Sequence, residues 1–166
     1  MMTMYPTIPT VLKDGTEPIS YAHEGDAGLD LCAIEDVTLY PGQWQMVGSA
    51  VSMAIPKGFV GIVTPRSGLG CKGLVLKNTV GIIDAGYRGE IGLTLYNNNP
   101  THVWVRTWEE VHAAKPNVEG IIHVHKGDRV AQLLIVPVAQ ASLVQVDSLD
   151  ESERGQDGFG STGVRL

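Results

Sequence analysis

Gly81-Ile82-Ile83-Asp84-Ala85-Gly86-Tyr87-Arg88-Gly89-Glu90 is the stretch from which both fold and chemistry are read. A carboxylate follows two β-branched apolar residues, and a glycine-containing turn then presents an aromatic ring at Tyr87. The flanks, Leu74-Val75-Leu76 before it and Ile91-Gly92-Leu93-Thr94-Leu95 after it, have the composition of strands. The segment reads as a β-hairpin with Asp84 and Tyr87 at its tip. A carboxylate held beside apolar walls loses hydration, which suits it to general-base work. Asp and Gly also favour hairpin connections for backbone reasons alone, so this segment by itself leaves a plain turn open.

Strand-sized runs recur on both sides of it: Leu29–Ile34, Val37–Tyr40, Gln43–Val47, Val51–Ile55, Phe59–Thr64, Thr79–Ile82, His102–Arg106, Ile121–His125, Val130–Val136 and Ser142–Val146. Turn signals separate many of them, such as Tyr40-Pro41-Gly42, Ile55-Pro56-Lys57-Gly58, Asn97-Asn98-Asn99-Pro100 and His125-Lys126-Gly127-Asp128. Short strands at this spacing predict an all-β sandwich or barrel. The 166 residues suit one domain able to bury its own core without covalent staples. Cys32 and Cys71 are too few for a disulfide framework and read as reduced cysteines in or near the core. The first residues lack a basic region followed by an apolar run, and no apolar stretch approaches a membrane span. The expectation is a soluble, cytoplasmic protein with no membrane partner. The net charge of −6 argues against a nucleic-acid coat, which needs a basic face. It leaves room for a small polyanion held by a few arginines and a divalent cation.

Two glycine-rich loops fit that ligand. Thr64-Pro65-Arg66-Ser67-Gly68-Leu69-Gly70 sets an arginine and a hydroxyl at a turn where backbone can approach an anion. Arg154-Gly155-Gln156-Asp157-Gly158-Phe159-Gly160-Ser161-Thr162-Gly163 combines a cation, an aromatic ring, two hydroxyls and closely spaced N–H groups. No Lys follows its glycines, so it is not a P-loop. Residues 101–120 read as an insertion carrying a strand and a short helix, since Thr107-Trp108-Glu109-Glu110 has the form of a capping box. Trp104 and Trp108 either anchor that insertion to its own body or form a protein-binding patch. His123 and His125 share one side of a strand, but the sequence supplies no third ligand and they read as surface histidines.

Taken in order, these pieces resemble the homotrimeric dUTP pyrophosphatase (dUTPase) family. Ala27-Gly28-Leu29-Asp30-Leu31 is similar to its first motif and Pro65-Arg66-Ser67-Gly68 to its second. Gly81 to Glu90 is similar to the third, Gly127-Asp128-Arg129-Val130-Ala131-Gln132 to the fourth, and Arg154 to Gly163 to the fifth. The segment around 101–120, between the third and fourth motifs, is the departure.

The resemblance implies a jelly-roll β fold, residues 1–147 forming the catalytic domain and 148–166 a flexible C-terminal arm that closes over the site. It implies a homotrimer with sites between subunits. The implied reaction is Mg²⁺-dependent hydrolysis of dUTP to dUMP and pyrophosphate, which limits uracil in DNA and supplies dUMP for thymidylate synthesis. Asp84 would activate the attacking water. Asp30 would reach the Mg²⁺ through water, the ion being held mainly by substrate phosphates. Arg66, Ser67, Gly68, Gln132 and Arg154 would contact the phosphate chain. Asn78, Gly81 and Ile83 would form the uracil site, with Tyr87 packed flat on the sugar. Phe159 and Gly160 would cover the base, and Ser161 and Thr162 the terminal phosphate. From Asp147 to Phe159 an extended chain could reach roughly 40 Å, enough to cross to a neighbouring subunit. Arg129 stays unassigned, because an internal ion pair explains it as well as a ligand contact does. The rival readings are a dCTP deaminase of similar fold, or a nucleotide-sensing module that captures a protein through the 101–120 insertion.

Overall fold

The computed structural model describes residues 6–13, 15–16, 19–100, 120–152 and 155. In chain order the strands are β1 (Thr10–Leu12), β2 (Gly28–Cys32), β3 (Val37–Leu39), β4 (Trp44–Met53) and β5 (Phe59–Pro65). One turn of helix, α1 (Ser67–Gly70), follows, then β6 (Leu74–Leu76), β7 (Gly81–Ile83), β8 (Glu90–Asn97), β9 (Ile122–Val124) and β10 (Arg129–Pro137). They form one sheet of order β1-β4-β8-β6, a second of order β2-β10-β5-β7, and a two-stranded pair β3-β9. Every pairing is antiparallel. This is the all-β sandwich that the strand spacing predicts, with the jelly-roll fold that the family resemblance implies.

Alternation along the strands explains why the sheets stack. In β8, Ile91, Leu93 and Leu95 are buried while Gly92, Thr94 and Tyr96 face the other way. In β10, Ala131 and Leu133 turn inward, and Val63 does the same on β5. These residues join Leu31, Val47, Leu39 and Val124 in a single core drawn from all three sheets. Aliphatic side chains fill it, as the low aromatic content requires. Asn97 is fully buried, and its carboxamide nitrogen donates to Leu39 O at 2.8 Å and Gly120 O at 2.7 Å. A buried amide satisfied in this way ties the end of β8 to β3 and to the start of the β9 segment.

Several expectations are corrected. Gln43–Val47 and Val51–Ile55 are not separate strands but one, β4, which passes through a bulge. Its register against β8 shifts between Gly48 and Ser52, and Ala50 sits at φ +60°. Glu90 makes the bulge tolerable: its Oε1 accepts the Ala50 N–H at 2.7 Å, and its other oxygen pairs with Lys13. A Cβ at Gly48 would run into Glu90 Oε1, so only glycine leaves room for that clasp. Ser142–Val146 forms no strand and is exposed, because no edge of the described chain pairs with it. The short β1 carries no alternating run that the sequence reading could find. The Ser67–Gly70 loop is a turn of helix rather than an open anion loop. Both cysteines are free, but Cys71 is exposed rather than near the core. Cys32 is half-buried, and its thiol is pushed up by burial and then by the Asp30 carboxylate. The strand and helix expected within 101–119 lie outside the described residues. Among the described residues, no helix is long and apolar enough to cross a membrane.

Candidate active site

The Gly81–Glu90 stretch does something different from closing a hairpin. β6 and β8 do pair, Leu76 opposite Leu95. Between them, however, the chain crosses to the second sheet, where β7 pairs with β5 and Gly81 faces Val63. Asp84 and Tyr87 therefore lie on the turn that returns the chain from one sheet to the other. That turn is closed by Tyr87 N–H on Asp84 O at 3.0 Å, and Arg88 Nη1 donates to the Ala85 and Tyr87 carbonyls at 2.8 and 2.6 Å. The two crossings leave a cleft of about 340 Å³ at the sheet edges, lined by Asn78, Gly81, Ile83, Asp84, Tyr87 and Thr94 among others.

Each wall has a local cause. Gly81 is close-packed: a Cβ there would stand 3.2 Å from Val63 Cβ and 3.6 Å from Asn78 Nδ2. Ile83 packs against the core and keeps β7 down. Asn78 is set by a strained turn, in which Thr79 takes φ +61° and Val80 N–H donates to Asn78 O at 2.6 Å. A β-branched residue in that region costs on the order of 1–3 kcal/mol, a kind of strain that concentrates at ligand clamps. The Tyr87 ring lies across Gly89, where a Cβ would stand 2.6 Å from ring Cζ, and its hydroxyl donates to Glu90 O at 2.9 Å. The hydroxyl end of that ring is thus fixed. Asp84 is exposed at the cleft. The dehydrated setting expected for it is absent in this chain, because Ile82 points outward, 59% exposed, and Ile83 turns into the core.

A second group forms on the outer face of the other sheet. Gln132 stands opposite Asp30 on one side and Thr64 on the other. The Gln132 side chain lies over Gly28, where a Cβ would stand 3.3 Å from its own Cβ. Asp30 sits between two guanidiniums, 3.0 Å from Arg66 Nε and 3.2 Å from Arg129 Nη1. Arg66 Nη1 also donates to Arg129 O at 3.2 Å. Arg129, unassigned from sequence, is thus the second cation on Asp30. Asp30 Oδ1 and Arg66 Nε are both cut off from solvent and neither has an aligned hydrogen bond, so their contact is Coulombic only. Ser67 and Gly68 follow Arg66 on the exposed start of α1.

The described chain thus brings Asn78, Gly81, Ile83, Asp84 and Tyr87 into one cleft and gathers Asp30, Arg66 and Gln132 elsewhere. It does not bring the two groups together. Ile83 faces Gly61, and Arg66 stands five residues further along the chain, one past the end of β5, about 16 Å away at strand rise. β7 runs antiparallel, so Asp84 lies farther still. Arg154, Phe159, Gly160, Ser161 and Thr162 lie outside the described residues. Sequence reasoning missed Thr94, Arg88 and Glu90. Thr94 was legible in the alternation of β8, which places it on the face opposite Leu93 and Leu95.

The chain is thus an antiparallel β-sandwich with a cleft of about 340 Å³ at its sheet edges and an arginine–carboxylate cluster on its second sheet. The dUTPase family profile matches residues 15–111 and 110–163. The chain is 43% identical over 158 residues to the deoxyuridine 5'-triphosphate nucleotidohydrolase of Cutibacterium acnes, covering 95% of this chain and 91% of that one. It is 45% identical to the enzyme of the same name from Leifsonia xyli, over 88% and 85% of the two chains. Among solved structures, the dUTPase of Staphylococcus bacteriophage 80alpha with dUpNHpp superposes with a TM-score of 0.79 at 32% identity, covering 96% of this chain and all of that one. The chain belongs to the dUTPase family, and it is a hydrolase.

Proposed function

We propose that the reaction, hydrolysis of dUTP to dUMP and pyrophosphate, runs with Asp84 as the general base. Asp84 accepts a proton from a water whose oxygen bonds the α-phosphorus, while the bond from that phosphorus to the bridging oxygen breaks and pyrophosphate leaves. A positioned base of this kind contributes about 10²–10⁴-fold. The observation that carries the reading is the convergence of Asn78, Gly81, Asp84 and Tyr87 on one cleft. Asn78 supplies a polar group for the pairing edge of the base, and the pinned Tyr87 ring provides a flat wall for a sugar.

The phosphate-binding residues are Arg66, Ser67, Gly68 and Gln132, joined by Arg154, Ser161 and Thr162 of the arm, with Phe159 and Gly160 over the base. Because Arg66 and Gln132 stand far from Asp84 of the same chain, one substrate needs them from a second copy. The segment from Val138 supports such an assembly: Leu143 is 93% exposed and Leu149 is 85% exposed, apolar surface that a lone chain leaves in water. We read the assembly as a homotrimer, residues 1–147 as its catalytic body and 148–166 as the arm that reaches a neighbouring site.

Mg²⁺ is the cofactor the family implies. Among the described residues no group of three His, Cys, Asp or Glu side chains could cage an ion. Both oxygens of Asp30 face guanidiniums. With no carboxylate cage, the ion would be held by substrate phosphates and water, which is how Mg²⁺ commonly binds; Asp30 would reach it through water only where a substrate phosphate draws Arg66 or Arg129 off the carboxylate. When bound, the ion offsets charge on the phosphate chain. A protein partner for the 101–120 insertion is a reading that rests on its sequence alone, through Trp104 and Trp108.

The test is hydrolysis of dUTP, dCTP, dTTP and UTP, with Mg²⁺ and with excess chelator, alongside sedimentation to count subunits. Preferred release of pyrophosphate from dUTP by an oligomer supports the reading. Equal rates on all four substrates, or full turnover by a monomer, overturn it.

A further inference from the structure

Nothing in the assignment of Asn78 to the base says which end of its carboxamide faces the ligand. Turned one way the group offers an N–H, turned the other a C=O, and the two choices select opposite bases: uracil carries an acceptor oxygen at the position where cytosine carries an amino donor. The structure supplies the missing constraint from β8. Thr94 Oγ1 donates to Asn78 Oδ1 at 2.7 Å, engaging the carboxamide oxygen and leaving Nδ2 toward Gly81 and the cleft. The backbone of Asn78 is held separately, since Val80 N–H and the Thr79 hydroxyl both donate to Asn78 O at 2.6 Å. Thr94 itself is anchored by Lys77 N–H on its carbonyl at 2.7 Å. What remains free is the carboxamide torsion.

We propose that Thr94 is a specificity-determining positioning residue: its hydroxyl holds the Asn78 carboxamide with the N–H inward, so that the cleft accepts the uracil oxygen and rejects the cytosine amine. This rests on the reading of the cleft as the base site. If the carboxamide turned over to receive cytosine, its nitrogen would donate to Thr94. The hydroxyl hydrogen would then have no acceptor, because among the described residues Asn78 Oδ1 is the group it bonds. The contact is open to solvent, and the constraint takes effect when a bound base displaces water from the Thr94 hydroxyl. An unmet half-buried hydroxyl weighs about tenfold in an equilibrium. That factor is small beside the 10⁴–10⁵ a fully polar site can reach, and it is separable by mutation.

The experiment compares kcat/KM for dUTP and dCTP in the parent, Thr94→Val, Thr94→Ala, Thr94→Ser and Asn78→Ala, with melting curves for each. Valine is close to threonine in shape but cannot donate. Thr94→Val and Thr94→Ala are expected to narrow the preference for dUTP about tenfold, chiefly by raising dCTP turnover, while Thr94→Ser keeps the parental ratio. A ratio unchanged in Thr94→Val and Thr94→Ala but reduced in Asn78→Ala overturns the role of Thr94 and leaves the uracil cleft standing. A ratio unchanged in Asn78→Ala as well removes the base-site reading, and this inference with it.

Discussion

Replacing Asp30 by asparagine removes one charge from between two guanidiniums while keeping the shape. The carboxylate side chain is 12% exposed, Arg66 is 32% exposed and Arg129 is 56% exposed. Breaking a fully buried pair costs about 3–5 kcal/mol, because the remaining charge loses its partner. The Arg66 contact falls short of that limit, since its Nε–H is not aimed at the oxygen and the arginine reaches solvent. The Arg129 contact is half-exposed, a setting worth about 0–1 kcal/mol. Together these give a loss of about 2–3 kcal/mol. At about 2–4 °C per kcal/mol for a chain of this size, Asp30→Asn should melt roughly 4–12 °C below the parent. The deficit has a signature. Two like charges left side by side repel, and salt screens them over a Debye length of about 10 Å at 0.1 M and about 3 Å at 1 M. Melting curves in 50 mM and 1 M NaCl should therefore show the gap between variant and parent narrowing in salt. A variant that melts within about 1 °C of the parent at low salt, or a gap indifferent to salt, refutes the claim that Asp30 neutralises this cluster.

Asp84→Asn should behave oppositely: the side chain is exposed, so stability should stay within about 0.5 kcal/mol while kcat on dUTP falls about 10²–10⁴-fold, read by pyrophosphate release beside a melting curve. Gly89→Ala places a methyl where the Tyr87 ring now lies, so the ring must move off the sugar wall; the dUTP-over-UTP ratio of kcat/KM should fall about tenfold or more, and an unchanged ratio would remove Tyr87 from sugar selection. Lys13 first, and then the Ala50 N–H, hold the Glu90 carboxyl below its ordinary value of 4.5, against burial. A group with a lowered folded value stabilises the protein above its ordinary value and loses that contribution as pH falls through the lower one. Glu90→Gln should thus melt below the parent at pH 7, the difference closing as pH drops below about 4.5; a constant difference from pH 7 to pH 3 would refute the clasp.

Much of the sandwich was legible because its signal is local. The alternation that buries Ile91, Leu93 and Leu95 can be read from one window, and so can β5 and β10. What could not be read depends on partners remote in the chain. Gly48-Ser49-Ala50 looks like a break between strands, and only Glu90, 40 residues on, turns it into a bulge within one strand. The same limit applies at the site. Asp84 and Tyr87 were found by type and spacing and Asn78 through the family resemblance, but the turn of the first two was misread as a hairpin tip because nothing within Gly81–Ile83 announces that it pairs with Gly61–Val63. Asp30 and Arg66 were identified singly. That they form one cluster with Arg129 follows from the β2–β10 register, which places Arg129 opposite Cys32 and Gln132 opposite Asp30.

The two groups of site residues differ in what the fold asks of them, and this separates their mutational behaviour. The cleft side chains hang from connections between sheets: Asn78 on a strained turn, Asp84 and Tyr87 on a return loop, all exposed. The strands beneath carry the core on their opposite faces, so Leu93 and Leu95 can stay packed whatever Thr94 and its partner do. Changes in the cleft should therefore alter rate and selectivity with little effect on melting. Asp30 and Gln132 instead stand within paired strands, and Arg66 at the end of one. There a substitution perturbs charge balance and strand packing together, and losses of activity need a stability control before they count as chemistry. The strain at Thr79 fits this division. A cost on the order of 1–3 kcal/mol is tolerable on a loop, because the stability that offsets it resides in the sheets that the loop joins.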